Sequence, residues 1–161
     1  MNPHGLLDAI DQRLLTILQA RARTKRNELA EQTGLSIPAV SERLKKLEES
    51  GIIQAYCAII DHKKLGFDVS SFIMVTVDSS KHFPAFIDRC HKTAEVLECH
   101  AITGEGTHLL KVRVKNTVGL EKLLAGIQSW PGVIETVTRV ALSSPKETTH
   151  LPMTNNHAGK R

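Results

Sequence analysis

Residues 29–53 read LAEQTGLSIPAVSERLKKLEESGII, and their spacing sets the architecture of the N-terminal third. A helix-turn-helix needs a small residue where its two helices touch, a turn residue about four positions later, and apolar residues that seat the second helix. Ala30, Gly34, Val40 and Leu44 stand at those positions, with Leu29 and Leu35 completing a small core. Gly34 supplies the left-handed residue that ends the first helix. Ser36 is placed to cap the second, and Pro38 is tolerated in its first turn. Val40, Leu44 and Leu47 share one helix face, Ala39, Glu42, Arg43, Lys45 and Lys46 point elsewhere, and Gly51 is placed to end the helix. In such a motif the start of the second helix meets base edges in the major groove. The surface available for that contact is Ser36, Pro38, Ala39, Ser41, Glu42, Arg43, Lys45 and Lys46. Arg43 is expected to pair bidentately with guanine, and Lys45 and Lys46 to meet phosphate. An ordinary helical hairpin with solvated charges is the plainer alternative.

Upstream, Leu7, Ile10, Leu14, Ile17 and Leu18 repeat at helical spacing, with Asp8 or Asp11 available as an N-cap. A basic connection follows, Arg21, Arg23, Lys25 and Arg26, in which Thr24 is expected to cap the middle helix. Net charge is only +4, yet Arg21 to Lys46 holds seven basic residues against three acids. A local basic patch is the footprint of a nucleic-acid contact. Arg23 and Lys25 therefore join the candidate DNA-binding residues, although a solvated charged face would look the same.

Downstream from Ile52 the period changes. IIQAYCAII (52–60) reads as a strand, DHKKLGFD follows, and SFIMVTV (71–77) is a second β-rich run. A helix is expected over 83–92, strands over 96–102 and 108–115, a helix over 118–129, and a last strand within PGVIETVTRVAL (131–142). The order β-α-β-β-α-β is the ferredoxin-like arrangement. One sheet face would lie open there, carrying Phe72, Met74 and residues beside Val140, and such a face usually finds a second subunit. From Ser143 the chain reads as an extended or disordered tail.

Residues 103–114, TGEGTHLLKVRV, pose a separate question. Gly-x-Gly suits any tight turn, and a phosphate loop needs a helix directly behind it. Here a strand follows. Cys90-His91 and Cys99-His100 resemble metal donors, but strand neighbours point to opposite faces and four tetrahedral ligands at a recognisable spacing are missing. We therefore expect no metal, no cofactor and no catalytic residues. Three cysteines without C-x-x-C spacing suit free thiols in a reducing cytoplasm. No apolar run approaches the ~20 residues of a membrane span, and the 41% hydrophobic, 24% charged composition is globular.

Taken together, LLDAIDQRLLTILQ, LAEQTGLSIPAVSERLKKLEESGIIQAYCAIID, VLECHAITGEGTHLLKVRV and PGVIETVTRVAL resemble the Lrp/AsnC family of feast/famine transcriptional regulators over almost the whole chain. The resemblance implies an α+β chain: a winged-type helix-turn-helix domain (1–51), a β-strand linker (52–69), a ferredoxin-like ligand-binding and oligomerisation domain (70–142) and a tail (143–161). It implies double-stranded DNA and a small-molecule effector, an amino acid or relative, as partners. It also implies a homodimer formed through the sheets, with four dimers often closing a ring. The family's Gly-Asp-x-Asp-Tyr effector loop matches Gly104, Glu105, Gly106, Thr107 and His108, and Thr136 and Thr138 match positions facing that pocket. Thr107 and His108 depart from Asp and Tyr, removing one charge and one aromatic. Response to leucine-like amino acids is thus expected to be weak or absent, and any response through His108 to vary between about pH 6 and 8. The alternatives are a ligand-independent architectural DNA-binding protein of the same fold, or an enzyme on the ferredoxin-like domain.

Overall fold

The computed structural model describes residues 7–153. The described residues divide into two compact units, 7–59 with 147–153, and 60–146. The start of the expected 1–51 segment, and the expected tail from 154 onward, lie outside the described residues.

The first unit holds α1 (Ala9–Ala20), α2 (Arg26–Thr33) and α3 (Ile37–Glu49). Both acids offered as caps serve α1. The Asp8 carboxylate accepts from the Asp11 N–H at 2.8 Å, and Asp11 returns a bond to the Asp8 N–H at 3.3 Å. Leu14, Leu18, Leu29, Ala30, Val40 and Leu44 form the buried core, with Ile10, Ile17, Leu35 and Ile53 packed around it. Gly34 ends α2 at φ 69, and a Cβ there would meet nothing within 4 Å. Backbone conformation alone therefore demands glycine at this turn.

One expectation for this unit needs correction. Thr24 does not cap α2, whose N-cap is Lys25. Thr24 lies one residue too early; it is buried, and its hydroxyl donates to the Arg21 carbonyl at 2.6 Å, closing the turn after α1. Among the described residues the run 52–60 joins no ladder of this chain's own. Ile53 folds back on the core, whereas Ile59 is 81% exposed. The tail docks, at least in part. The Gln19 amide holds residue 151 by both ends, accepting from the Leu151 N–H at 2.6 Å and donating to its carbonyl at 3.1 Å.

The second unit is β1 (Val69–Val77), α4 (Phe83–Lys92), β2 (Val96–Ala101), β3 (His108–Val114), α5 (Thr117–Gln128) and β4 (Val133–Val140), with short 3-10 turns at Lys63–Leu65 and Ser80–His82. The four strands are antiparallel in the order β2-β3-β1-β4, as a ferredoxin-like chain requires. Alternation sorts the faces. Ile73, Val75 and Val77 of β1, with Leu110, Val112 and Val114 of β3, bury against Phe86, Cys90, Leu120, Ile127 and Trp130. Phe72, Met74, Leu109 and Val137 occupy the opposite face, where Phe72 is 41% exposed. Val140 itself pairs with buried Ser71 and so projects on the helix-covered side, while its neighbour Arg139, opposite Phe72, lies on the open face.

Candidate nucleic-acid interface and ligand loop

Two local devices fix the start of α3. The left-handed turn at Gly34 brings the Leu35 N–H to the Ala30 carbonyl at 3.1 Å, and the Ser36 hydroxyl accepts from the Ala39 N–H at 3.3 Å. With Val40, Leu44 and Leu47 turned inward, Ser36, Ile37, Pro38, Glu42, Lys45 and Lys46 are exposed, and Ala39, Ser41 and Arg43 are half-buried. Lys46 bonds Glu42 at 2.7 Å and Lys45 lies 3.6 Å from Glu49, so both lysines stand beside acids on their own helix. Arg23 and Lys25 are exposed on the connection between α1 and α2.

Arg43 sits differently from the other candidates. Its Nη1 donates to Asp8 at 2.6 Å and to Asp11 at 2.8 Å, which turns it toward α1 and away from the exposed face. The helix period explains the placement, since Arg43 directly precedes buried Leu44. These two carboxylates raise the guanidinium's pKa. The Asp8 carboxyl is held below its ordinary range, first by the Asp11 N–H and then by Arg43. A residue outside the candidate set stands nearer the exposed surface: Arg26, at the start of α2, donates to the Ser41 hydroxyl at 3.2 Å. It was visible in sequence only as one charge among several, because its partner lies fifteen positions away. Tyr56, just beyond the helices, donates to Glu48 at 2.8 Å; burial and that carboxylate push its hydroxyl up to about 12.

The loop GEGTH closes the β2–β3 hairpin, with the Ile102 N–H on the Thr107 carbonyl at 3.1 Å. Gly106 adopts φ 78, and a Cβ there would lie 3.3 Å from the Val75 carbonyl oxygen, so glycine lets the loop lie close against β1. Thr107 splices the loop to that strand. Its N–H donates to the Val75 carbonyl at 2.9 Å, its hydroxyl donates to the same oxygen at 3.1 Å, and the hydroxyl accepts from the Val77 N–H at 3.1 Å. His108 Nδ1 lies 2.9 Å from the same hydroxyl. A hydroxyl has one proton; spent on Val75, it leaves Nδ1 as donor and Nε2 as acceptor.

His108 is 1% exposed, edge-on to Phe83 and tilted against Phe86 with ring centroids 4.8 Å away in each case. Burial lowers its pKa below the ordinary 6.5, and the ring sits in the core beneath the loop and not on its surface. Its even position on β3 points it into the core with Leu110 and Val112. Glu105 and Gly104 remain exposed at the loop tip. Thr136 pairs with Val75, as His108 does from the other side, and its hydroxyl accepts from Gln128 at 2.9 Å; Thr138 pairs with Ile73 one row below. His108 and the two threonines thus share the helix-covered side of the sheet, with β1 between them.

Comparison with known proteins adds what geometry alone leaves open. The family model of the Lrp/AsnC ligand binding domain matches residues 70–151, and that of winged helix-turn-helix DNA-binding domains matches residues 7–54. The chain is 37% identical over 147 residues to the HTH-type transcriptional regulator FL11 of Pyrococcus abyssi, which covers 91% of this chain and 97% of that one. The fold superposes on a transcriptional regulator from Neisseria meningitidis in complex with L-Met, with TM-score 0.87, 31% identity and coverage of 92% and 97%. It also superposes on a feast or famine regulatory protein from M. tuberculosis complexed with L-methionine, with TM-score 0.82, 32% identity and coverage of 91% and 100%.

Proposed function

The chain belongs to the Lrp/AsnC family of transcriptional regulators, and on that premise we propose how it reads DNA and answers a ligand. It binds double-stranded DNA sequence-specifically through α3, and a small molecule of the amino-acid class modulates that binding. The observation that carries this reading is the exposed start of α3, held open by the Gly34 turn and the Ser36 cap and seated by Val40, Leu44 and Leu47. Ser36, Pro38, Ala39, Ser41 and Glu42 face base edges. Arg23, Lys25, Arg26, Lys45 and Lys46 meet phosphate, and Arg43 acts as a positioning residue through Asp8 and Asp11. The protein works in the cytoplasm by binding and not as an enzyme. Among the described residues no helix is long and apolar enough to cross a membrane.

A second copy covers the open sheet face around Phe72, Met74, Leu109 and Val137, giving a dimer that presents two recognition helices. These would address half-sites about 34 Å apart or a multiple of that. Higher association brings loops 104–108 of neighbouring dimers together around the effector. The L-methionine complexes of the Neisseria and M. tuberculosis proteins support the effector class. Within the loop, Glu105 supplies a carboxylate for an ammonium group, and backbone N–H groups near Gly104 and Gly106 supply donors for a carboxylate.

One observation favours a ligand-independent architectural role: Thr107 and His108 spend their polar atoms inside the protein. Selecting bound sequences from a random duplex pool, with and without L-methionine, separates the readings. A regulator enriches a pseudo-palindrome and shifts affinity with ligand, and an architectural protein enriches one without any shift. Uniform recovery of all sequences would overturn both.

A further inference from the structure

Two of the cysteines meet on the helix-covered side of the sheet. Cys90 lies in the last turn of α4, one turn from Phe86, and is 4% exposed. Cys99 stands on β2 opposite Leu110, which turns it toward α4, and it is less buried than Cys90. Both line a cleft of about 270 Å³ between α4 and β2, whose walls include Ile87, Leu97 and His108. A buried free cysteine ordinarily packs as a small hydrophobe. Two thiols lining one cleft, one of them only half-buried, are a different chemical object. β2 is moreover an edge strand, bonded among the described residues to β3 alone, with a register irregularity between Val96 and Glu98 beside Cys99.

We propose that Cys90 and Cys99 form an oxidisable pair that a peroxide-class oxidant closes into a disulfide joining α4 to β2. The Cys99 thiolate attacks one peroxide oxygen, the O–O bond breaks, hydroxide leaves, and Cys99 becomes a sulfenic acid. The Cys90 sulfur then displaces the sulfenic oxygen, which departs as water with the remaining proton, and the S–S bond forms. In sum, two thiols and one peroxide give one disulfide and two waters. Burial holds both thiols above their ordinary range, Cys90 up to about 12. The thiolate fraction at neutral pH is therefore small, and closure is slow and cumulative. The link lies beside the ligand loop. Phe83 and Phe86 of α4 touch the His108 ring, and His108 touches Thr107. Closing the disulfide fixes α4 against the sheet that supports GEGTH.

The test uses full-length Cys57→Ser protein, which removes the exposed thiol of the extended segment. After exposure to hydrogen peroxide, remaining thiols are capped with iodoacetamide and the intact mass and peptides are read. The expected product has lost two hydrogens, takes up no cap, carries a Cys90–Cys99 crosslinked peptide and is restored by dithiothreitol. Cys90→Ala in the same background should instead leave Cys99 trappable by dimedone as sulfenic acid. Three results overturn the proposal: both thiols still capped after treatment, Cys99 oxidised while Cys90 stays cappable, or crosslinks only between chains.

Discussion

Arg43→Ala distinguishes two uses of the same cation. A base-reading arginine carries roughly 1–3 kcal/mol of discrimination at one base pair. In this protein Arg43 is 31% exposed and shares Nη1 between Asp8 and Asp11. Exposed ion pairs are worth roughly 0.2–1 kcal/mol. Two partners, with Asp11 less exposed than Asp8, place the loss at about 1 kcal/mol, or roughly fivefold in a local opening equilibrium. Hydrogen exchange should register that change at the amides of α1 and α3, because Asp8 and Asp11 also cap α1. Specific and non-specific DNA affinity should fall together, leaving their ratio intact. A double-mutant cycle with Asp11→Asn should return most of the energy as coupling. The sign with pH follows from Asp8, whose carboxyl is lowered in the folded chain. Its stabilisation is complete above the ordinary value of 3.8 and is lost as pH falls through the depressed one, so the cost of Arg43→Ala should shrink in acid. Unchanged exchange in α1 and α3, with loss of preference at a single base pair, would refute this reasoning and return Arg43 to the DNA.

Three further outcomes follow from the second unit. Met74→Asp places a charge in the middle of the open sheet face and should convert oligomer to monomer by light scattering while leaving the helices of the first unit folded by circular dichroism; a native protein already monomeric at micromolar concentration would contradict the covered face. Thr107→Val leaves the Val77 N–H without its acceptor and should cost about 1–3 kcal/mol in urea unfolding, whereas Thr107→Ser, which keeps the hydroxyl, should cost much less. His108 is buried with its pKa lowered, so the unfolded chain binds more protons just below 6.5 and stability should fall as pH drops through that window; His108→Phe should flatten the slope, and a slope unchanged by it would assign the titration to another group.

The elements that sequence revealed are those whose signal is local. α4 could be placed at 83–92 because its apolar period is self-contained, and β3 because it alternates residue by residue between the buried and open faces. The Gly34 turn and Ser36 cap likewise concern residues within one turn of each other. What remained hidden depends on distant partners. Strand character in 52–60 is a matter of β-branched composition, and composition cannot supply the neighbouring strand that a ladder needs. Arg43 is legible as exposed or engaged only once Asp8 and Asp11, more than thirty positions away, are placed beside it. The docking of Leu151 on Gln19 spans almost the whole chain, and nothing in either residue's surroundings announces it.

The loop GEGTH carries this point into chemistry. Set beside the family pattern, Thr107 and His108 read as two lost ligand groups. In the fold they are one inward-facing unit, in which the hydroxyl bridges Val75, Val77 and the imidazole. An aspartate at 107 would bring a carboxylate, with no proton to donate, against the Val75 carbonyl oxygen that now accepts both the Thr107 N–H and its hydroxyl. It could keep the Val77 N–H only by turning its second oxygen away from that carbonyl, toward the loop surface. Restoring Asp and Tyr to these positions is therefore a refolding of the β1 junction as well as a change of pocket, and its effect on ligand affinity can be read only after its cost in stability has been subtracted. Glu105 carries no such burden: it is exposed at the tip, its carboxylate faces solvent, and replacing it changes charge at the ligand loop while leaving the Thr107 splice untouched.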